Sequence, residues 1–225
     1  MISSSSSLTD FQKINREIYL VVNDRCYDIT GLFSHLHRHI TQILKAVRKK
    51  KYVNIKYHIC MAFSWAMALA NRFHIDVADE MWGFFPGFCP YCNSVPCVCF
   101  PERVRNRQKL AGKSMGERPT ALFEWQAMFA RIYPNVIEHS AMHLAEEAGE
   151  VNEAIRNYSS THNQEWFRKI AEELVDVITN IFGVINCLRL DLAAGLADYF
   201  AGGCPKCRQS PCSCDYVAVD YPILL

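Results

Sequence analysis

Apolar residues recur every three or four positions along most of the chain, and this spacing predicts helices almost throughout. The clearest stripe is formed by Ile170, Leu174, Val177 and Ile181, which share one face of a predicted helix. Thr9 and Thr161 each begin a segment that resembles a capping box, which marks a helix start. Almost nothing indicates a strand. The pattern predicts an all-α fold with four helices in each half, at about 9–22, 28–50, 53–75 and 77–85, then 122–133, 136–157, 165–190 and 191–200.

A cysteine pattern occurs twice, once after each predicted set of four helices. Both copies read Cys-x2-Cys-x4-Cys-x-Cys and carry proline at matching places. Sliding residues 57–90 onto 172–205 without a gap also pairs Asn71 with Asn186, which indicates an internal duplication. The predicted units are residues 1–99 with a tail at 89–99, a linker at 100–119, and residues 120–225 with a tail at 204–214. The repeated cysteines are Cys89, Cys92, Cys97 and Cys99, then Cys204, Cys207, Cys212 and Cys214.

The net charge of +1 hides a difference between the halves. Residues 1–118 carry 17 Lys and Arg against 9 Asp and Glu, whereas residues 119–225 carry 7 against 14. Part of the positive charge lies in the linker 100–119, which holds six Lys and Arg. The basic run 48–51 lies at a predicted helix end, where positive charge favours the helix dipole. We therefore expect a solvated surface there and do not expect nucleic acid as the partner.

The overall composition is that of a globular chain without a membrane span. Half of its 225 residues are hydrophobic and 21% are charged. The apolar stretch 59–71 is shorter than the roughly 18 residues that a span needs. Residues 1–7 lack the pattern of a secretion signal, so we expect a cytosolic protein. In a reducing cytosol, eleven cysteines indicate metal sites or buried thiols rather than disulfides.

Two pairs of carboxylates stand on consecutive predicted helices of the second half. Glu147 and Glu150 are three residues apart, as are Glu173 and Asp176, so each pair shares a helix face. If the helices pack antiparallel through a short connection at 158–162, the four groups converge and repel one another unless a cation neutralises them. Oxygen ligands at this density suit Mg²⁺ or Mn²⁺. A merely solvated acidic face is the alternative, and the apolar neighbours of Glu173 and Asp176 speak against it.

The segment 143–155, followed after 22 residues from Glu150 by Glu173-Leu-Val-Asp176, resembles a known family. It is similar to the MazG-like all-α nucleoside triphosphate pyrophosphohydrolases, a superfamily that includes dimeric dUTPases. The resemblance covers about residues 120–200 and implies Mg²⁺-dependent cleavage of a nucleoside triphosphate to a monophosphate and pyrophosphate, either to clear non-standard nucleotides or to control nucleotide pools. By the same resemblance Glu147, Glu150, Glu173 and Asp176 would hold the metal, and one of them would orient or deprotonate the attacking water.

Two further residues are candidates for substrate binding. Asn180 follows Asp176 by one helical turn, where its amide could contact a sugar or base. Lys169 precedes Glu173 by one turn and could meet a phosphate. A core-lining Asn and an exposed Lys are the simpler alternatives.

The first half departs from this pattern. The slide places His58 at the position of Glu173 and Met61 at that of Asp176, and matching the preceding helix sets His39 against Glu147 and Gln42 against Glu150. We interpret this half as a degenerate copy that replaces the second subunit of an ancestral dimer. The resulting pseudo-dimers are expected to form a homo-oligomer.

Four cysteines within eleven residues can supply a closed tetrahedral site, and Zn²⁺ is the usual occupant. The tight Cys-x-Cys end leaves open an iron–sulfur cluster, ligands shared between the two tails, redox disulfides or free thiols. We expect each tail to be a structural clip rather than a catalytic element.

Two other functions compete with catalysis. A nucleotide sensor or zinc-stapled adaptor would keep the fold without turnover, although it has no need for four carboxylates. A nucleic-acid-binding module would use the basic linker and the cysteine tails, and its affinity would fall steeply with salt.

Overall fold

The computed structural model describes residues 2–3, 5–99, 114, 116–134 and 136–214. Within these residues the chain forms eight α-helices and no strand, which confirms the predicted all-α fold. The basic linker predicted at 100–119 lies mostly outside the described residues. The helices are α1 (Leu8–Cys26), α2 (Ile29–Lys49), α3 (Ile55–Arg72), α4 (Val77–Phe84), α5 (Leu122–Ile132), α6 (Ile137–Thr161), α7 (Gln164–Cys187) and α8 (Leu192–Phe200).

Helix α1 begins at a different cap from the predicted one. The Oγ of Ser7 accepts a hydrogen bond from the Asp10 N–H at 2.9 Å, and the Asp10 carboxylate accepts one from the Ser7 N–H at 3.1 Å. The capping box is therefore formed by Ser7 and Asp10 rather than begun by Thr9.

The connection between α6 and α7 is also shorter than predicted. Helix α6 continues through Thr161, which is therefore not the cap of α7. Asn163 caps α7, and its Oδ1 accepts a hydrogen bond from the Glu165 N–H at 2.9 Å. Only His162 and Asn163 separate the two helices, so α6 and α7 are joined by a tight turn.

Helices α2, α3, α6 and α7 form the centre of the molecule. In each half the two long helices pack together, and across the halves α2 packs on α6 and α3 on α7. Helix α1 covers α3, and α5 covers α7. The short helices cross over, because α4 packs on α7 and α8 packs on α3. Exchanging every helix of the first half for its counterpart in the second leaves these contacts unchanged, as a pseudo-twofold axis requires.

The core is continuous between the halves. Phe63 of α3 lies 6.1 Å from Phe182 of α7, and Phe182 stacks on Phe129 of α5 at 5.5 Å, measured between ring centroids. All three side chains are at most 1% exposed. Burial of each of these side chains contributes about 1.5–3 kcal/mol to stability. Side chains from both halves therefore stabilise one common core.

Matched hydrogen bonds support the internal duplication. Gln12 of α1 donates through Nε2 to the Ile75 carbonyl at 2.6 Å and accepts at Oε1 from the Val77 N–H at 3.1 Å. In the second half, Gln126 of α5 donates to the Leu190 carbonyl at 2.8 Å and accepts from the Leu192 N–H at 3.1 Å. Each glutamine thus fixes the start of the short helix in its own half.

The two cysteine tails cross the axis in the same way. The Cys97 N–H donates to the Ile132 carbonyl of α5 at 2.7 Å, and the Cys212 N–H donates to the Ile18 carbonyl of α1 at 2.8 Å. The proline before the third cysteine of each tail follows a cis peptide bond. Each tail therefore docks on the first helix of the other half.

Within the described residues, no single helix is long and apolar enough to cross a membrane. Helices α7 and α8 meet the length and composition criteria only as a pair, which is bent by 103°.

Candidate active site and cysteine clusters

Three of the four predicted carboxylates come together between α6 and α7. Glu147, Glu173 and Asp176 each offer an oxygen, and these oxygens lie within 4.8 Å of one another. Glu150, one turn beyond Glu147, lies outside this trio on the exposed side of α6, where its carboxyl meets that of Glu173. The i, i+3 spacing and the tight turn between the helices produce this convergence.

The carboxylates perturb one another strongly. Burial, together with the charges of Asp176 and Glu173, raises the pKa of Glu147 to about 9. Burial and the neighbouring Glu173 also raise the pKa of Glu150. A divalent cation would favour the charged forms of these carboxylates and would therefore stabilise the site.

Lys169 is already engaged by acidic groups. Its Nζ forms an ion pair with the carboxylate of Glu173, which is only 1% exposed, and lies 3.5 Å from that of Glu172. Glu173 raises the pKa of the Lys169 ammonium, against the effect of burial. In this structure Lys169 therefore neutralises Glu173, and its predicted role at a phosphate requires it to change partner.

A cavity of about 440 Å³ opens beside the trio. Glu147 and Asp176 line one side, with Thr179 and Asn180 one turn further along α7. The Asn180 amide donates to the Asp176 carbonyl at 3.0 Å, which holds the side chain at the cavity wall. The cavity thus joins a carboxylate cluster to a polar helix face.

The remaining walls of this cavity, which we call the acidic cavity, are largely aromatic. Phe129 of α5 and Tyr133, which follows α5, line it together with Phe85, which follows α4 in the first half. Burial, together with the nearby Cys89, raises the pKa of the Tyr133 phenol. Its volume and mixed apolar and polar lining are those of a site for a small organic molecule.

Part of the wall comes from the cysteine tail of the first half. Cys89, Cys97 and Cys99 line the acidic cavity although they belong to the unit without carboxylates. The sequence predicted these tails as structural clips and missed this placement. No local pattern could have revealed it, because the placement depends on the crossing of the tails over the pseudo-twofold axis.

Two histidines at the edge of the acidic cavity were also not assigned a role from the sequence. The His143 ring lies with its Nδ1 3.0 Å from a carboxylate oxygen of Glu146 and its Nε2 3.1 Å from the His139 Nε2. Both rings line the cavity. Their spacing of four residues on α6 was the available signal, since it places both on one face of the helix.

The first cysteine cluster has the dimensions of a site for one tetrahedral ion. The Sγ atoms of Cys89 and Cys99 are 3.6 Å apart, and those of Cys92 and Cys97 are 3.9 Å apart. Four Zn–S bonds of about 2.3 Å give sulfur–sulfur edges of about 3.8 Å in a tetrahedron. A disulfide would need about 2.05 Å, and a four-iron cluster would separate the sulfurs further because each binds a different iron.

The second cluster repeats this geometry. Cys204 and Cys214 have Sγ atoms 3.7 Å apart, and Cys207 and Cys212 have theirs 3.8 Å apart. The Ser213 N–H donates to the Cys207 Sγ at 3.4 Å and lowers the pKa of that thiol to about 6. Each cluster is built within one tail, so the alternative of ligands shared between the tails is wrong. Both clusters could hold zinc.

In the first half, histidines occupy the place of the acidic trio. The Nδ1 atoms of His39 and His58 lie 3.1 Å apart, which matches the sequence alignment of these residues with Glu147 and Glu173. Burial, with His58 and Arg38 nearby, lowers the pKa of His39 to about 4. The pair is therefore largely uncharged at neutral pH, unlike its acidic counterpart.

Comparison with known proteins agrees with the resemblance found in the sequence. Residues 137–210 match the family model described as MazG nucleotide pyrophosphohydrolase domain. The match spans α6, α7, α8 and the beginning of the second tail, and it includes all four predicted carboxylates. Searches of curated proteins and of solved structures found no match to the chain.

Proposed function

We propose that this chain, which carries a MazG nucleotide pyrophosphohydrolase domain at residues 137–210, hydrolyses a nucleoside triphosphate to a nucleoside monophosphate and pyrophosphate. The observation that supports this most directly is the acidic trio of Glu147, Glu173 and Asp176 at one side of a cavity with aromatic walls. The aromatic side suits a base, and the carboxylate side suits a divalent cation that bridges to phosphates.

The donor set fits Mg²⁺ or Mn²⁺. Carboxylate oxygens within 4.8 Å of one another can reach a single ion. Lys169 pairs with Glu173, but burial and the neighbouring carboxylates still raise the pKa of Glu147, so a cation would favour its charged form. Glu147, Glu173 and Asp176 would hold the ion. A divalent cation supplies charge to the phosphates and makes water more acidic.

Glu150 is the carboxylate that we assign to proton transfer. It lies next to Glu173 but outside the trio, and it is exposed enough to meet water. Its raised pKa brings it closer to the working pH, which suits a general base. Water would attack the α-phosphorus, Glu150 would accept its proton, and the bond from the α-phosphorus to the bridging oxygen would break, so that pyrophosphate leaves.

Asn180 and Lys169 would orient the substrate. Asn180 lies in the cavity wall beside Thr179, within the part of the cavity left for the sugar and base. Lys169 is next to Glu173 and would turn to a phosphate once a cation neutralises that carboxylate. Residues 120–225 would then be the active unit and residues 1–99 the degenerate one.

The test is a panel of standard and modified nucleoside triphosphates with Mg²⁺ or Mn²⁺, with monophosphate and pyrophosphate both measured. We expect equal amounts of the two products and a 10²–10⁴-fold lower kcat in Glu150→Gln, about the contribution of a general base. Glu165→Gln is the matched control, because Glu165 is exposed in the first turn of α7 and should leave kcat unchanged. Release of inorganic phosphate and a diphosphate, absence of turnover with every substrate, or an active Glu150→Gln protein would overturn the proposal.

Two finer predictions from the sequence belong to this proposal. We expect the protein in the cytosol, and we expect pseudo-dimers to associate into a homo-oligomer. Light scattering on the purified protein tests the second.

A further inference from the structure

A second cavity lies across the pseudo-twofold axis from the acidic one. It encloses about 390 Å³, and we call it the basic cavity. Most of its lining residues are counterparts of residues that line the acidic cavity, and a cysteine tail contributes to both. Five of its lining residues, Tyr19, His39, Met61, Ser64 and Trp65, stand where the acidic cavity has Tyr133, Glu147, Asp176, Thr179 and Asn180.

The basic cavity differs from its counterpart in the charged groups of its lining. None of its lining residues, all from the described part of the chain, is Asp or Glu, whereas Lys206 of the second tail lies in the wall. Burial and the nearby Arg38 lower the pKa of His35, His39 and His58. Both cavities border a cysteine cluster, so the difference arises from the helices and from Lys206. The basic cavity cannot gather a divalent cation on carboxylates but can attract an anion.

An aromatic platform lies inside this cavity. The His35 ring stacks on Trp65, with ring centroids 4.4 Å apart and planes within 10°. Tyr27 packs edge-on against Trp65 at 5.8 Å and fixes its position. Trp65 is only partly buried, so π-surface stays open to the cavity. A flat heterocycle can stack there, and stacking of a base on an aromatic side chain is worth about 1–3 kcal/mol.

The hydrogen-bonding groups lie next to this platform. His39 and His58 face each other at 3.1 Å, and His39 and Ser64 both line the cavity. Neutral imidazoles and a hydroxyl can donate to phosphate oxygens without a cation between them. Lys206, which also lines the cavity, adds a permanent positive charge.

We propose that the basic cavity binds a nucleoside monophosphate without a divalent cation. A triphosphate carries more negative charge than the cationic groups near this cavity can balance, and among the described residues that line it there is no carboxylate to bring Mg²⁺. A single phosphate matches Lys206, the imidazoles and Ser64, while the base stacks on Trp65. Only the choice of nucleotides as probes rests on the proposed function, because the cavity itself needs no turnover.

The test is isothermal titration of the full chain with the common nucleoside monophosphates, in buffer without added Mg²⁺ and without chelator. We expect saturable binding with one ligand per chain. Trp65→Leu should weaken it at least tenfold, and Lys206→Ala should weaken it severalfold. Lys206 is exposed, so its variant should fold normally, and Lys49→Ala, at an exposed lysine of α2, is the control that should bind as the unchanged protein does.

Three outcomes would overturn the proposal: no saturable binding of any monophosphate, equal affinity for unphosphorylated nucleosides, or loss of binding in Asn180→Leu, which alters the acidic cavity instead. Pyrophosphate release is measured on the same preparations with Mg²⁺. If the protein hydrolyses triphosphates but binds no monophosphate in the absence of Mg²⁺, this proposal alone is refuted. If it binds a monophosphate but hydrolyses no triphosphate, this proposal is supported and the proposed function is refuted.

Discussion

Replacing Glu147 by Gln should stabilise the protein when Mg²⁺ is absent. The pKa of Glu147 is raised from 4.5 to about 9 by burial and by the neighbouring carboxylates. The folded state therefore binds a proton that the unfolded state releases. The contribution of the protonated Glu147 carboxyl to stability is complete below pH 4.5 and is lost as the pH rises towards 9.

The size of this effect follows from the two pKa values. At pH 7.5 the unfolded carboxyl is ionised, and protonating it for folding costs about 1.36 kcal/mol for each unit above 4.5, or about 4 kcal/mol in total. Glutamine is neutral and has nearly the same shape, so Glu147→Gln removes this cost. Allowing for relaxation of the site, we expect the free energy of unfolding to rise by about 2–4 kcal/mol at pH 7.5 and by less than about 1 kcal/mol at pH 5.

Urea unfolding at both pH values, with and without Mg²⁺, measures this difference. Glu17→Gln is the matched control, since Glu17 is exposed on α1, and its stability should change by less than about 0.5 kcal/mol. Saturating Mg²⁺ should stabilise the unchanged protein more than Glu147→Gln, because the ion binds the folded carboxylates. An unchanged urea midpoint for Glu147→Gln at pH 7.5, or equal stabilisation of both proteins by Mg²⁺, would refute the reasoning.

Two further predictions concern the frame around the cavities. Gly203→Ala should lower the zinc bound per chain, because a Cβ at this positive-φ position would lie 2.6 Å from the Gln209 carbonyl oxygen. Elemental analysis measures the zinc content. The control is Gly202→Ala, whose Cβ would have its nearest contact at 3.7 Å and which should keep both zinc ions. Gln126→Leu should lower the free energy of unfolding by about 1–3 kcal/mol, since it leaves the Leu190 carbonyl and the Leu192 N–H without their partner. The same loss in Gln12→Leu, measured by urea unfolding, is expected from the pseudo-twofold relation, and a loss at only one of the two glutamines would contradict it.

The carboxylate site could be predicted because its information is local. Glu173 and Asp176 share a helix face by spacing alone, and α6 is joined to α7 by a turn that leaves them side by side. The equivalence of His39 and Glu147 could be read from the alignment of the repeats for the same reason. Local spacing on neighbouring helices is enough when both helices are long and strongly periodic.

Features that depend on contact between the halves could not be predicted. The sequence pattern predicted Thr9 as the first cap, whereas the cap in the structure is Ser7, which pairs with Ala121 at the start of α5. The docking of Cys97 on Ile132 likewise joins segments that no spacing relates. In both cases the segment contacts a part of the chain that is distant in sequence.

The crossing of the tails has a consequence for how this gene can vary. The first half lacks the four carboxylates but shares the core, and its tail also supplies Cys89, Cys97 and Cys99 to the wall of the acidic cavity. Selection for hydrolysis would therefore constrain the tail of the first half but not helical positions such as His39 and Gln42. In a library of random substitutions, inactive clones should cluster at the carboxylates of one repeat and at the cysteines of the other.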